Sequence, residues 1–268
     1  MDKEAGLRAS LRRLGGGLVA LSGGVDSGLL ARLCAEEMGG RALAVTAASE
    51  AVPEEEVESA RALAASFGLA HETARTRELE NPSYAANPSD RCAFCKTELM
   101  DVLEPIARRR GLPAVLLGVN ADDLDDHRPG QAAARARGAL FPLADAGLSK
   151  AEVRELARNL GLGVWDKPAQ PCLASRIPYG EPVTAEKLAR IAASESFLRA
   201  EGFPDCRVRH HAGLASLEVP LDALPRLAEP ALRARVEARL KALGFLHVAV
   251  DLGGLRSGNL NSALRGSP

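Results

Sequence analysis

Leu18-Val19-Ala20-Leu21-Ser22-Gly23-Gly24-Val25-Asp26-Ser27-Gly28-Leu29-Leu30 is the stretch on which the fold turns. Leu18 to Ser22 is a short apolar run with a glycine-rich turn on each side, the pattern of a strand buried on both faces of a parallel sheet. Leu29 to Met38 reads as a helix. The turn between them, Ser22 to Ser27, lies where backbone N–H groups and the positive end of a helix converge on an anion. Gly23 and Gly24 let the backbone approach phosphate oxygens, and Ser22 and Ser27 add hydroxyl donors. Asp26 cannot donate to phosphate and suits a magnesium ion or the positioning of a nucleotide. No Lys-Ser or Lys-Thr pair follows, so the loop is not of the Walker type. A purely structural glycine turn is the competing reading.

Outward from this loop, strands and helices alternate. Residues 43–47 read as a second strand, 53–67 and 96–110 as helices, and 115–118 as another short apolar strand. The expected fold class is α/β, a doubly wound parallel sheet, Rossmann-like, with a smaller C-terminal α+β domain. Ala47-Ala48-Ser49-Glu50 ends the second strand, where backbone groups beside Ser49 would hold an adenine edge. Ser149 and Glu152 form a capping box ahead of Val153, Leu156 and Leu160. The text turns Pro-rich between Trp165 and Pro182, which places a boundary there: residues 1–178 form the nucleotide-binding domain and residues 179–268 the α+β domain, expected to serve substrate binding or oligomerisation. Within the latter, 184–200 and 229–243 read as helices, and 206–210, 214–219 and 247–252 as strands.

With 268 residues, 46% hydrophobic content and only 3% aromatics, the core must be built from Leu, Ala and Val. The formal net charge of −1 gives no global attraction to nucleic acid or an anionic membrane. The second part is mildly basic. The charged start, Met1-Asp2-Lys3-Glu4, reads neither as a secretory leader nor as a membrane span, and a cytoplasmic setting is expected.

In a reducing compartment the five cysteines point to metal binding, catalysis or burial rather than to disulfides. Cys92 and Cys95, in Arg91-Cys92-Ala93-Phe94-Cys95-Lys96, lie within one turn at a positive helix end. Cys172 follows in Pro171-Cys172-Leu173-Ala174-Ser175-Arg176. Three thiolates could hold a [4Fe-4S] cluster with one iron open. A zinc site completed by a histidine, a redox pair and unrelated buried thiols compete with that reading. Cys34 and Cys206 have no partner at ligand spacing and read as buried.

The loop Ser22 to Ser27 resembles the SGGxDS signature of the PP-loop ATP-pyrophosphatases. Further blocks resemble the LarE family of sulfur transferases over nearly the whole chain: Gly118 to Asp123 with Asp126-His127-Arg128-Pro129-Gly130, Ser175 to Gly180, Arg207-Val208-Arg209, and Asp251 to Gly258. The resemblance implies that ATP and Mg2+ adenylylate a carboxylate of a small-molecule substrate, pyridinium-3,5-biscarboxylic acid mononucleotide. Sulfur then displaces AMP, and a second round yields the bis-thiocarboxylate of the nickel-pincer cofactor of lactate racemase. One branch of the family sacrifices a cysteine sulfur in the segment that here reads Ala169-Gln170-Pro171-Cys172. Another has three cysteines and a cluster-bound sulfide that a sulfide donor must supply. Cys92, Cys95 and Cys172 make this chain resemble the second, with Cys172 as cluster ligand and the sacrificial role as the alternative.

On that resemblance Arg176, Arg207 and Arg209 are expected to meet phosphate and carboxylate groups, with Arg207 and Arg209 sharing a strand face and Val208 turned inward. A solvated sheet face is the bland alternative. Among Asp122, Asp123 and Asp126 the reading favours Asp123 for magnesium or substrate, against a solvated acidic loop. Glu195 matches a substrate-side position of the family, or is an exposed helix acid. Lys96 is expected to bind nucleotide phosphate or to cap the site, Ser175 to line it, and Arg256 to sit in a glycine loop suited to ligand approach. Homo-oligomers are expected. A tRNA thiolase of the same superfamily is the alternative enzyme, although the chain offers no basic, aromatic-rich RNA surface. A nucleotide sensor with structural zinc is the alternative outside catalysis.

Overall fold

The computed structural model describes residues 3–124, 129–168, 170–256 and 259–260. The chain divides into two compact units: Met1–Tyr84 with Asp90–Gln170, and Ala85–Ser89 with Pro171–Pro268.

The first unit opens with helix α1 (Lys3–Leu14) and proceeds through β1 (Gly17–Ala20), α2 (Val25–Met38), β2 (Ala42–Ala48), α3 (Glu54–Ser66) and β3 (Ala70–Arg75). After the short α4 (Pro82–Ala85) come α5 (Arg91–Arg109), β4 (Val115–Leu117), α6 (Pro129–Ala136), α7 (Pro142–Asp145) and α8 (Lys150–Asn159). The four strands form one sheet in the order β3-β2-β1-β4, with every pairing parallel. Apolar clusters cover both faces. Leu7, Leu11, Val19, Leu29, Leu33 and Val153 pack on one side, and Leu18, Val45, Leu99, Leu103, Leu117 and Phe141 on the other. Adjacent residues of β1, Leu18 and Val19, enter opposite clusters, which is why this strand reads as a continuous apolar run.

Strand β3 is absent from the sequence reading. Its Ala-His-Glu-Thr-Ala-Arg text is polar because it is an edge strand, with only Ala74 buried. The capping box of α8 is present: the Ser149 hydroxyl accepts the Glu152 N–H and the Glu152 carboxylate accepts the Ser149 N–H.

The second unit contains α9 (Ala185–Ala200), β5 (Arg207–His211), β6 (Leu214–Glu218), α10 (Leu224–Leu227), α11 (Pro230–Ala242) and β7 (His247–Val250). Its sheet runs β5-β6-β7, the first pair antiparallel and the second parallel. Phe203, Val208, Leu217, Leu232, Val236 and Leu240 fill the core beneath it. The Thr184 hydroxyl caps α9 by accepting the Lys187 N–H. Residues 85–89 belong to this unit because Asn87, buried and at φ +59°, donates its amide to the carbonyls of Ile177, Pro178 and Glu181. Among the described residues no helix is long and apolar enough to cross a membrane.

Candidate functional site

In the first unit the loop from Ser22 to Ser27 joins β1 to α2. Gly23 adopts φ +75°, which side chains disfavour, and Gly24 is the N-cap of α2, so no cap side chain competes for the first-turn N–H groups. The Ser27 hydroxyl donates to the Gly24 carbonyl at 3.2 Å and accepts the Ser22 N–H at 3.2 Å. The Ser22 hydroxyl, 3.0 Å away, is therefore the donor to Ser27. Both hydroxyls are spent inside the loop and shape its cradle of N–H groups.

Gly118 follows β4 directly behind this cradle. A Cβ at Gly118 would lie 2.6 Å from the Ser27 nitrogen and 2.9 Å from the Asp26 carbonyl carbon. Only glycine lets β4 pass this close to the start of α2.

Asp26 points to the same end of the sheet. One carboxylate oxygen accepts the Asn120 amide at 3.0 Å, and the other is ion-paired with Lys150, the first residue of α8. Asn120 is fixed in turn by Asp123, through an Asn120 N–H to Asp123 Oδ2 bond of 3.2 Å and an Asp123 N–H to Asn120 Oδ1 bond of 3.1 Å. Asp122 accepts the Lys150 N–H at 2.8 Å. Asp26, Asn120, Asp122, Asp123 and Lys150 thus form one acidic cluster with a single lysine in it. Asp126 lies outside the described residues, as do His127, Arg128, Ala169, Ser257 and Gly258.

Lys167 donates to the Gly23 carbonyl at 3.3 Å and to Glu56 at 2.7 Å, so a second lysine touches the loop. The sequence reading missed both lysines. Lys150 carries a local signal, standing between the two capping-box residues at the start of a helix, whereas Lys167 reaches across 144 residues and leaves none.

Ser49 caps the turn after β2, its hydroxyl accepting the Ala51 N–H. Beneath it buried Thr46 donates to the Leu21 carbonyl at 2.8 Å, and its oxygen must therefore accept His71 Nε2–H at 2.8 Å. Burial pushes the His71 pKa down, which keeps the ring neutral in this role.

Cys92 and Cys95 occupy the first turns of α5, the former exposed and the latter half-buried. The Cys95 thiol lies 3.7 Å from the buried Glu78 carboxylate, which also accepts the Thr76 hydroxyl. Lys96 beside them is half-buried. Among the described residues no group of three or more His, Cys, Asp or Glu side chains is gathered so as to hold a metal ion.

In the second unit Cys172 is half-buried and begins the turn Leu173–Arg176. Arg176 is only 2% exposed and grips Glu195 with two nitrogens at 2.8 and 3.1 Å, while its third donates to the Pro171 carbonyl at 2.7 Å and the Ser175 hydroxyl at 2.9 Å. Glu195 is buried rather than an exposed helix acid, and also accepts the Val208 N–H at 3.0 Å. Arg209 is buried as well, bidentate to fully buried Glu218 at 2.5 and 3.0 Å and donating to the Ser175 carbonyl at 3.0 Å. Val208 points into the core between them. The arginine face of β5 is therefore not a solvated surface.

Arg207 differs from its neighbours. It is half-buried, donates to the Arg256 carbonyl at 2.9 Å, and has no carboxylate partner among the described residues. Its burial, then the charges of Arg176 and Arg209, push its pKa down, against the weaker opposing pull of Glu218 and Glu195. Exposed Arg256 pairs with Asp251 at 3.3 Å. Arg207 and Arg256 are thus adjacent, and Arg207 is a cation available to an anion.

Burial pushes the Cys34 and Cys206 thiols up to about 12, in keeping with a packing role for both.

Residues 5–91 match the sequence profile of the NAD synthase family. A protein of Synechocystis sp. described as uncharacterized is 45% identical over 263 residues, covering 98% of each chain. The pyridinium-3,5-bisthiocarboxylic acid mononucleotide synthase of Lactiplantibacillus plantarum is 36% identical over 263 residues, covering 98% of this chain and 95% of that one. An uncharacterized protein of Methanocaldococcus jannaschii is 27% identical over 235 residues, 88% of each chain. Since identity to the synthase is 36% over 98% of this chain, the chain belongs to the LarE family of PP-loop proteins.

Proposed function

We propose that this chain is an ATP-dependent sulfurtransferase acting on pyridinium-3,5-biscarboxylic acid mononucleotide. The observation that carries the reading is the full-length likeness to the L. plantarum synthase, whose name specifies the corresponding bis-thiocarboxylate.

In the first step a substrate carboxylate oxygen attacks the α-phosphorus of ATP, the bond to the bridging oxygen breaks, and pyrophosphate leaves with that electron pair. The N–H cradle of Gly23 to Ser27 receives the departing phosphates, and Asp26 and Asp123 serve the accompanying Mg2+. Lys150 and Lys167 supply the positive charge that the loop itself lacks. In the second step a sulfur nucleophile attacks the acyl carbon, the bond to AMP breaks, and AMP departs with its electron pair while the sulfur proton passes to solvent. Arg207, with Arg256 beside it, holds the anionic groups of the mononucleotide. Repetition at the second carboxylate gives the bis-thiocarboxylate.

By donor type, the thiols of Cys92, Cys95 and Cys172 suit an iron–sulfur cluster, which when bound would supply the sulfur as sulfide. Homo-oligomeric assembly accompanies this reading.

The test is to incubate oxygen-free protein with ATP, Mg2+, sulfide and the mononucleotide, following thiocarboxylate by mass spectrometry and AMP and pyrophosphate by chromatography. Formation of thiocarboxylate with one AMP for each sulfur supports the reading. ATP turnover stimulated by tRNA and indifferent to the mononucleotide overturns it. Iron with acid-labile sulfide on the protein supports the cluster, and zinc alone overturns that part.

A further inference from the structure

Four ionised side chains lie buried behind the Cys172 turn, an arrangement whose desolvation a well-packed apolar core would avoid. They are charge-matched in pairs, Arg176 with Glu195 and Arg209 with Glu218. What distinguishes them is where their remaining donors go. Arg176 reaches the Pro171 carbonyl, on one side of Cys172, and the Ser175 hydroxyl on the other. Arg209 reaches the Ser175 carbonyl. The backbone of the turn is thereby held at both ends by guanidinium groups whose planes the carboxylates fix. Glu195 and Glu218 are fastened in turn, the first by the Val208 N–H and the second by the Asn259 amide at 2.6 Å.

Arg176 and Arg209 engage every guanidinium nitrogen in a protein contact, whereas Arg207 makes one bond, to a carbonyl, among the described residues.

We propose that the Arg176–Glu195 and Arg209–Glu218 pairs are a positioning clamp that sets the direction of the Cys172 thiol. Glu218, which the family-based reading of the site does not include, is as necessary to the clamp as the arginine it fixes. The inference rests on the proposed sulfurtransferase reading for the chemistry at Cys172, and not for the geometry.

Removing one member of a buried pair can unfold the unit, so two variants are compared: Glu218→Gln, and the double replacement Arg209→Met with Glu218→Leu, which removes both charges together. Circular dichroism establishes that each is folded. The full chain is labelled with iodoacetamide, and each cysteine is followed by peptide mass spectrometry. The clamp requires Cys172 labelling to quicken by about 10-fold or more while Cys92 changes by less than about two-fold, and kcat for thiocarboxylate formation to fall by roughly 30- to 100-fold with KM for the mononucleotide nearly unchanged. Unchanged Cys172 labelling, or a rise in KM with kcat held, overturns the clamp and makes Arg209 a substrate ligand. Failure of the wild-type chain to form thiocarboxylate would overturn the sulfurtransferase reading instead, and the labelling result would still decide the clamp.

Discussion

Lys150 at the start of α8 and Asp26 in the phosphate loop, 124 residues apart in sequence, are joined by an ion pair, with the Asn120 amide on the other oxygen of the carboxylate. The one acid of the loop is therefore already matched to a cation. A magnesium–nucleotide complex arriving at α2 offers Asp26 a better partner and leaves the Lys150 ammonium for the phosphates. Lys150→Ala is expected to lower ATP–pyrophosphate exchange by about 10- to 100-fold, chiefly through KM for ATP. An exchange rate equal to wild type would reduce Lys150 to an ordinary surface partner of Asp26.

Gly118 tests how the loop is buttressed. Its missing Cβ leaves room for the Ser27 nitrogen at a distance no side chain tolerates, and the obstacle is backbone that cannot rotate aside. Gly118→Ala should destabilise the first unit by about 2 kcal/mol or more and weaken nucleotide binding with it. Urea unfolding and nucleotide titration check the two halves of this expectation, and a variant as stable as the parent contradicts the packing described.

Glu152 makes the acid limb of the stability curve predictable. The Lys3 ammonium, at 2.7 and 2.8 Å, and then the Ser149 N–H hold its carboxyl at about 2, well below the ordinary 4.5. A depressed carboxyl contributes stability above the unfolded value, and loses it as pH falls from 4.5 towards 2. Glu152→Gln should flatten the midpoint-versus-pH curve across that window, its deficit relative to the parent standing at neutral pH and vanishing towards pH 2. Thermal melts from pH 2 to pH 7 measure it.

The cysteines should sort by burial. With thiols pushed up to about 12, Cys34 and Cys206 carry almost no thiolate at pH 8 and are sealed in their cores. Alkylation of native protein should modify exposed Cys92 first, and reach Cys34 and Cys206 only after denaturant is added. Early labelling of Cys206 would mean that the second unit opens locally.

How much of this was readable beforehand follows from the range of each interaction. Features made by neighbours in sequence were readable: the strand–turn–helix around Ser22 to Ser27, the Ser149–Glu152 box, and the inward Val208 between two arginines. Each needs only backbone geometry and alternation over a few residues. Strand β3 escaped because an edge strand carries polar text, and its identity as a strand comes from pairing with β2. Lys150 and Lys167 escaped because their partners are 124 and 111 residues away, and Glu218 because a charged residue looks alike in sequence whether solvated or paired.

The arginines mark the division most clearly. The sequence by itself determined that positive charge concentrates at residues 176, 207 and 209, and that 207 and 209 share a face. Only the tertiary structure decided which charge is paired, because burying a guanidinium demands a carboxylate, and Glu195 and Glu218 reach Arg176 and Arg209 while Arg207 has no carboxylate partner among the described residues.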